Sequence, residues 1–289
     1  MEKRSLGRTG EKLSVIGFGG IVVRDVSPAD ASNYVAQAVD RGINYFDVAP
    51  GYGNAEERLG PALSPYRDQV FLACKTEQRS AKGAESELHR SLNSLRTDHL
   101  DLYQFHGVSS VQQAEQILAP GGALELFIAA REQGMIRHIG FSAHSEAAAM
   151  RLLEGFPFDS MLLPINQFCW RDGGFGPQAC KAAQERGTGI LALKALAKRP
   201  LREGEQKKWP KCWYIPFDTI AEVRVALQFT LSLPVTAAVC PGHAELLWLA
   251  CDALSTLPGS SRTESPCADI TGEPIFRTVV DTTAANKTA

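Results

Sequence analysis

The sequence predicts a single (β/α)8 TIM-type barrel, and three observations carry that prediction. Eight short apolar runs recur along the chain, and segments of helical spacing separate them. No G-x-G-x-x-G opens the first helix, which counts against a doubly wound open sheet. Strands alternating with helices in this way must be parallel and joined by crossovers, and eight such units fit a closed barrel in a chain of 289 residues.

The elements follow in order. MEKRSLGRTGEK, with Gly7 and Gly10, reads as a small β-hairpin ahead of the first barrel strand. The strand candidates are VIGFGG (15–20), INYFDV (43–48), VFLACK (70–75), LDLYQF (100–105), IRHIGFS (136–142), SMLLPIN (160–166), GILALKA (189–195) and VTAAVC (235–240). Ser27-Pro28 with Asp30, Asn54 with Glu57, and Thr219 with Glu222 carry the spacing of capped helix starts. Leu88, Leu92 and Leu95 share one helix face, and Gly42, Gly134 and Gly187 stand where helices should stop. Residues 1–255 are expected to form the barrel, and 256–289 a polar C-terminal tail, loop-like or partly disordered.

With 44% hydrophobic and 21% charged residues, the composition is that of a water-soluble globular protein. A formal net charge of −2 offers no electrostatic attraction for nucleic acid or an acidic membrane surface. No apolar run is long enough to span a bilayer, so no membrane partner is expected. Seven cysteines, an odd number without a C-x-x-C pair, and no signal-like apolar stretch after MEKR point to a reduced cytoplasm.

In a (β/α)8 barrel the chemistry sits at the C-terminal ends of the strands. The second strand delivers Asp47, with Tyr52 in the following loop; the third delivers Lys75 and the fourth His106. Each has an ordinary structural reading alone: a helix-capping Asp, a loop Tyr covering the core edge, a snorkelling Lys, a hydrogen-bonded His. Together they have a specific use. An ammonium beside a phenol favours the phenolate, a carboxylate holds that ammonium, and an imidazole orients a substrate oxygen, so that Tyr52 becomes a general acid.

RSLGRTGEKLSVIGFGG, FDVAPGYGNAEERLG, LACKT, LDLYQFHG, IRHIGFSAHS, INQF and VCPG, in this order, resemble the aldo-keto reductases, NAD(P)H-dependent oxidoreductases on a (β/α)8 barrel. The resemblance implies a catalytic tetrad of Asp47, Tyr52, Lys75 and His106 acting on a small-molecule carbonyl substrate, with no metal. It implies that Tyr52 gives the proton while NAD(P)H gives hydride to an aldehyde or ketone. The cofactor is expected against Gly20, Asp47, Ser142, Gln167, Leu193, Lys194, Ala195, Leu196 and Gly242. Two departures stand out: Ala143-His144 follows Ser142 where the family usually has Asn, and His243-Ala244-Glu245 supplies no basic residue after the Pro-Gly turn. NADP(H) is the cofactor the resemblance favours, with NAD(H) as the alternative.

The basic loop Lys198, Arg199, Arg202, Lys207, Lys208 and Lys211 reads either as a fold-over for the cofactor phosphates or as a solvated charged loop. Trp170, Phe175, Trp209, Trp213 and Tyr214 are expected in loops as candidate substrate contacts. A nicotinamide-binding sensor or partner subunit with little turnover is the alternative function, and an unrelated barrel lyase or isomerase the third. The chain is expected to be a monomer or weak homo-oligomer.

Overall fold

A computed structural model describes residues 1–255 and 270–278. β1 (Lys3–Ser5) and β2 (Lys12–Ser14) pair as the antiparallel hairpin expected from the first twelve residues. β3 (Ile16–Gly19), β4 (Tyr45–Asp47), β5 (Phe71–Thr76), β6 (Leu100–Val108), β7 (Ile136–Ala143), β8 (Ser160–Pro164), β9 (Gly189–Leu193) and β12 (Ala237–Val239) form a closed parallel barrel, with β12 returning to β3. β10 (Ala197–Pro200) and β11 (Tyr214–Pro216) make a second hairpin outside it, within the long connection whose sequence reads as a loop.

The helices are α1 (Pro28–Asp40), α2 (Ala55–Leu63), α3 (Ala81–Leu95), α4 (Val111–Leu118), α5 (Ala123–Glu132), α6 (Glu146–Gly155), α7 (Gln167–Arg171), α8 (Pro177–Glu185), α9 (Ile220–Ser232) and α10 (Ala244–Ser255). Ser27 and Thr219 cap α1 and α9 as expected. Asn54 precedes α2 but makes no side-chain cap; its Oδ1 accepts instead from the Asp25 N–H at 2.9 Å, tying two rim loops together. Among the described residues, no helix is long and apolar enough to cross a membrane.

Side-chain alternation splits the core into two layers. Residues facing the helices, such as Phe46, Leu72, Cys74, Tyr103 and Phe105, join the outer layer. Tyr45, Phe71, Ala73, Leu102, Leu162, Leu191, Ala237 and Val239 fill the barrel interior together with Leu6 and Leu13 of the hairpin. The hairpin therefore plugs the bottom of the barrel. Gly17 leaves room for the Tyr45 ring, whose Cδ1 would lie 2.6 Å from any Cβ placed there.

Residues 270–278 cross the top of the molecule without regular structure. The Glu273 and Thr278 N–H groups donate to the Lys198 and Gly173 carbonyls at 2.8 and 2.9 Å. Residues 256–269 and 279–289, the rest of the expected tail, lie outside the described residues. Buried Glu146 is the anchor of this corner. Its Oε1 accepts from the N–H groups of Gly176, Gln178 and Ala179 at the start of α8, at 2.9–3.1 Å, and its Oε2 accepts from Thr278 Oγ1 at 2.7 Å. Glu146→Ala leaves buried donors unsatisfied, and urea unfolding is expected to show a loss of about 3 kcal/mol. A loss under about 1 kcal/mol would remove this anchoring role.

Candidate active site

Strand alternation sends Tyr45 and Asp47 of β4, Ala73 and Lys75 of β5, and Leu102 and Gln104 of β6 into the barrel, the polar residues uppermost. β6 runs on to Val108, but its register with β7 breaks after Phe105, and Gly107 has φ +59°. This bulge re-aims His106 into the cavity above the barrel. Ala49 and Tyr52 close a turn that returns the Tyr52 ring over the same cavity.

The buried Lys75 ammonium donates to Asp47 Oδ1 and, at 3.2 Å, to the Val48 carbonyl. Asp47 Oδ2 accepts from Gln104 Nε2 at 3.0 Å and Tyr45 Oη at 3.2 Å. Each carboxylate oxygen is thus held. Gln104 and Tyr45 were not singled out in the sequence, although both lie on the inward-facing alternation that selects Asp47 and Lys75. Lys75 Nζ lies 5.2 Å from the Tyr52 ring centroid, and the His106 ring meets Tyr52 edge-on with centroids 5.6 Å apart.

Burial and the two buried partners set the protonation states. Burial opposes charge on Lys75, but Asp47 outweighs it and holds the ammonium above the ordinary lysine range. Burial raises the Tyr52 phenol above its usual value, and Lys75 only partly reverses this. The depressed phenol expected from sequence is therefore corrected: the ammonium pulls in the expected direction and desolvation wins. Burial, then Lys75, pushes His106 down to about 2, so the imidazole is neutral. Its buried Nδ1 has no hydrogen-bond partner, because Glu77 Oε1, 3.3 Å away, is outside hydrogen-bonding geometry.

The cavity that joins these groups has a volume of about 250 Å³. Of the residues expected to contact a cofactor, Asp47, Ser142, Leu193, Lys194 and Gly242 line it. Gly20, Gln167, Ala195 and Leu196 do not. Gly20 packs against Val48, where a Cβ would come within 2.7 Å of Cγ2. Ala195 and Leu196 are buried in the outer core, and Gln167 opens α7, half-buried. Ser142 Oγ accepts from the Gly107 N–H at 2.7 Å, which spends one lone pair on the bulge beside His106.

The basic loop divides. Lys198, Arg199, Arg202 and Lys208 pair with Glu222, Glu205, Glu273 and Asp218, so for them the charged-loop reading holds. Lys211 instead crosses the cavity mouth: its Nζ donates to the Val22 carbonyl at 2.9 Å and its N–H to His243 Nε2 at 3.1 Å. Burial lowers the pKa values of Lys211 and His243, and Arg24, from the loop after β3, lies close enough to add to this. The buried Arg24 Nε makes no hydrogen bond, although Asp25 Oδ2 lies 3.4 Å away. Sequence reasoning passed over Arg24, whose place depends on a turn with Asp25 at φ +57°.

Of the aromatic candidates, Trp213 and Tyr214 line the cavity. Trp170 lies in α7, Phe175 is buried against Phe276, and Trp209 donates to Asp218 Oδ2 at 2.9 Å beside His243. Among the described residues the cysteines are free, and no cluster of His, Cys, Asp or Glu is arranged to hold a metal ion.

Residues 15–212 match the sequence pattern of the aldo/keto reductase family. An uncharacterised oxidoreductase of Bacillus subtilis is 25% identical over 280 residues, covering 85% of this chain and 88% of that protein. An NAD(P)H-dependent D-xylose reductase of Candida tenuis is 24% identical over 290 residues, covering 89% and 83%. The solved structure of a putative aldo-keto reductase from Pseudomonas aeruginosa is similar with a TM-score of 0.69 at 25% identity, over 87% of this chain and 95% of that one. The closed barrel with its N-terminal hairpin, and a sequence match spanning most of it, lead to one assignment: this chain belongs to the aldo/keto reductase family of oxidoreductases.

Proposed function

We propose that the protein reduces an aldehyde or ketone to an alcohol, with hydride from NAD(P)H and a proton from Tyr52. The observation that carries this reading is one cavity bordered by the Tyr52 phenol, the Lys75–Asp47 pair and a neutral His106 with an unpartnered ring nitrogen.

The side chains around the cavity suit such a cofactor. Arg24, beside Lys211, supports an anionic group at the outer end: its buried Nε makes no hydrogen bond, although Asp25 Oδ2 lies 3.4 Å away. Asp25 and Glu245 balance these cations in net charge, so anion recognition rests on position, with Lys211 at the cavity wall and Arg24 beside it. Leu193 offers apolar contact and Ser142 a hydroxyl at the inner end. A cavity of about 250 Å³ takes a nicotinamide-sized ring and a small carbonyl compound, and leaves the phosphates to the groove by Lys211.

When bound, the reduced nicotinamide supplies a hydride to the carbonyl carbon. The chain's own groups handle the oxygen. Neutral His106 orients the carbonyl by a hydrogen bond, and Tyr52 donates its phenolic proton as negative charge develops on that oxygen. The phenolate left behind faces the Lys75 ammonium, whose position is held by Asp47, itself held by Gln104 and Tyr45. In the reverse direction the same phenolate takes the proton from the alcohol.

Parallel fluorescence titration with NADPH and NADH, followed by a carbonyl panel with the better binder, tests this reading. Saturable binding, tighter for NADPH because of Arg24 and Lys211, and turnover of at least one carbonyl class are expected. Failure to bind either cofactor would overturn the proposal. Binding without turnover across the panel would favour the sensor reading instead.

A further inference from the structure

Lys194 is a cation at the cavity wall that the reaction proposed above does not use. Its Nζ lies 3.0 Å from His144 Nε2, and it faces the Phe276 and Trp213 rings at 5.2 and 5.6 Å from their centroids. Among the described residues no carboxylate pairs with it. The backbone at Lys194 has φ +61°, in the left-handed region that costs a side-chain-bearing residue on the order of 1–2 kcal/mol. The Lys194 carbonyl is held by Asn166 Nδ2 at 3.2 Å and the Ala197 N–H at 3.0 Å. Neighbouring structure thus enforces an unfavourable conformation at a residue that lines the cavity.

An ammonium can only donate, so His144 Nε2 accepts and the His144 proton sits on Nδ1. The aromatic rings offer Lys194 partial compensation, yet a cation without an anion is left beside the groups that face the carbonyl. Lys211 and Arg24 group with His243, where the reading above puts the cofactor phosphates. Lys194 and His144 instead stand on the His106 side, where Gly107 adjoins the His144 ring and Lys194 acts electrostatically on His106.

We infer that Lys194, braced by His144, is an anion-recognising residue for the substrate, and that the preferred carbonyl compound carries a carboxylate. This rests on carbonyl reduction at the Tyr52 site. The small cavity lets one molecule place its carbonyl at Tyr52 and His106 and its carboxylate at Lys194. Burial pulls Lys194 down to about 7, a state that a bound carboxylate would reverse by restoring the missing counter-charge. The titratable groups facing Lys194 do not titrate there themselves: burial pushes His144 down to about 3 and His106 down to about 2, Asp47 holds Lys75 up, and burial raises the Cys169 thiol.

The test compares para-carboxybenzaldehyde with its methyl ester. Lys194→Met is expected to lower kcat/KM for the acid by at least about tenfold more than for the ester, with Kd for NADPH measured alongside to separate a cofactor contact from a substrate contact. In the unaltered enzyme the acid-to-ester ratio should fall as pH rises through about 7, as the ammonium is lost. Benzoate binding, followed through Trp213 fluorescence, gives a readout independent of turnover and should weaken in Lys194→Met. Equal losses on both substrates would assign Lys194 to holding Phe276 and Trp213 and overturn the inference. A weakened NADPH Kd would assign it to the cofactor and also overturn it. Were no carbonyl turned over, the benzoate measurement would still decide the anion site, with a flat pH response and an unchanged Kd counting against it.

Discussion

Tyr52→Phe is expected to lower kcat for carbonyl reduction by about three orders of magnitude while leaving Kd for NADPH within about twofold. The substitution removes one oxygen and leaves the ring in its edge-on contact with His106. What is lost is the proton that neutralises the developing alkoxide, an interaction made only in the transition state. Burial keeps the Tyr52 phenol above its ordinary value, so the acid form persists through neutral pH. Reduction should therefore be insensitive to Tyr52 ionisation there and fall only as pH rises into the phenol range. Stopped-flow measurement of the hydride-transfer step checks both statements. A Tyr52→Phe enzyme with near-normal rate would remove Tyr52 as proton donor.

Lys75→Met is expected to destabilise the fold by about 3–5 kcal/mol near neutral pH, besides abolishing turnover. The methionine fills similar space but leaves the buried Asp47 carboxylate without its ammonium. Gln104 and Tyr45 still donate to it, yet neither carries charge. The sign with pH follows from the orphaned acid. A buried carboxylate without its ammonium is costly only while it is charged, so the variant is expected to be least impaired in acid. In the unaltered protein, burial opposes the Lys75 charge but Asp47 holds the ammonium above its ordinary range, so the lysine's contribution persists through neutral pH and is lost as pH rises into alkali. Urea unfolding at about pH 5 and about pH 8 should show a larger deficit at the higher pH. A deficit independent of pH would mean that the loss comes from packing alone.

The barrel was legible because its rule is periodic. Alternation in YFD, FLACKT and LDLYQFHGV separates inward from helix-facing residues, and the same rule that selects Asp47 and Lys75 selects Tyr45 and Gln104. Features set by single backbone rotations were not legible. Lys194 and Asp25 adopt φ values unusual for residues with side chains, and nothing in LALKALAK or VVRDVS marks either position. Asn54 has cap spacing but serves the Asp25 N–H, because a nearer donor from another loop competes for its oxygen. The segment Ile270–Thr278 lacks helical or strand periodicity, so its place beside Phe175 and His144 follows only from the tertiary contacts of Phe276.

The hairpin that stoppers the barrel also constrains the order in which a newly made chain can mature. Arg4 Nη1 donates to the carbonyls of Leu231 and Val235, Thr236 Oγ1 donates to the Ser5 carbonyl, and the Arg8 N–H reaches the Gly187 carbonyl. Arg4 thus finds its partners only after a further 227 to 231 residues have been synthesised, by its separation from Leu231 and Val235. Until then Leu6 and Leu13 have no barrel floor to enter, and β3 waits with them for β12. Ring closure is a late, single event, and a chain truncated before Val235 would be left with both an open seam and an unstoppered base.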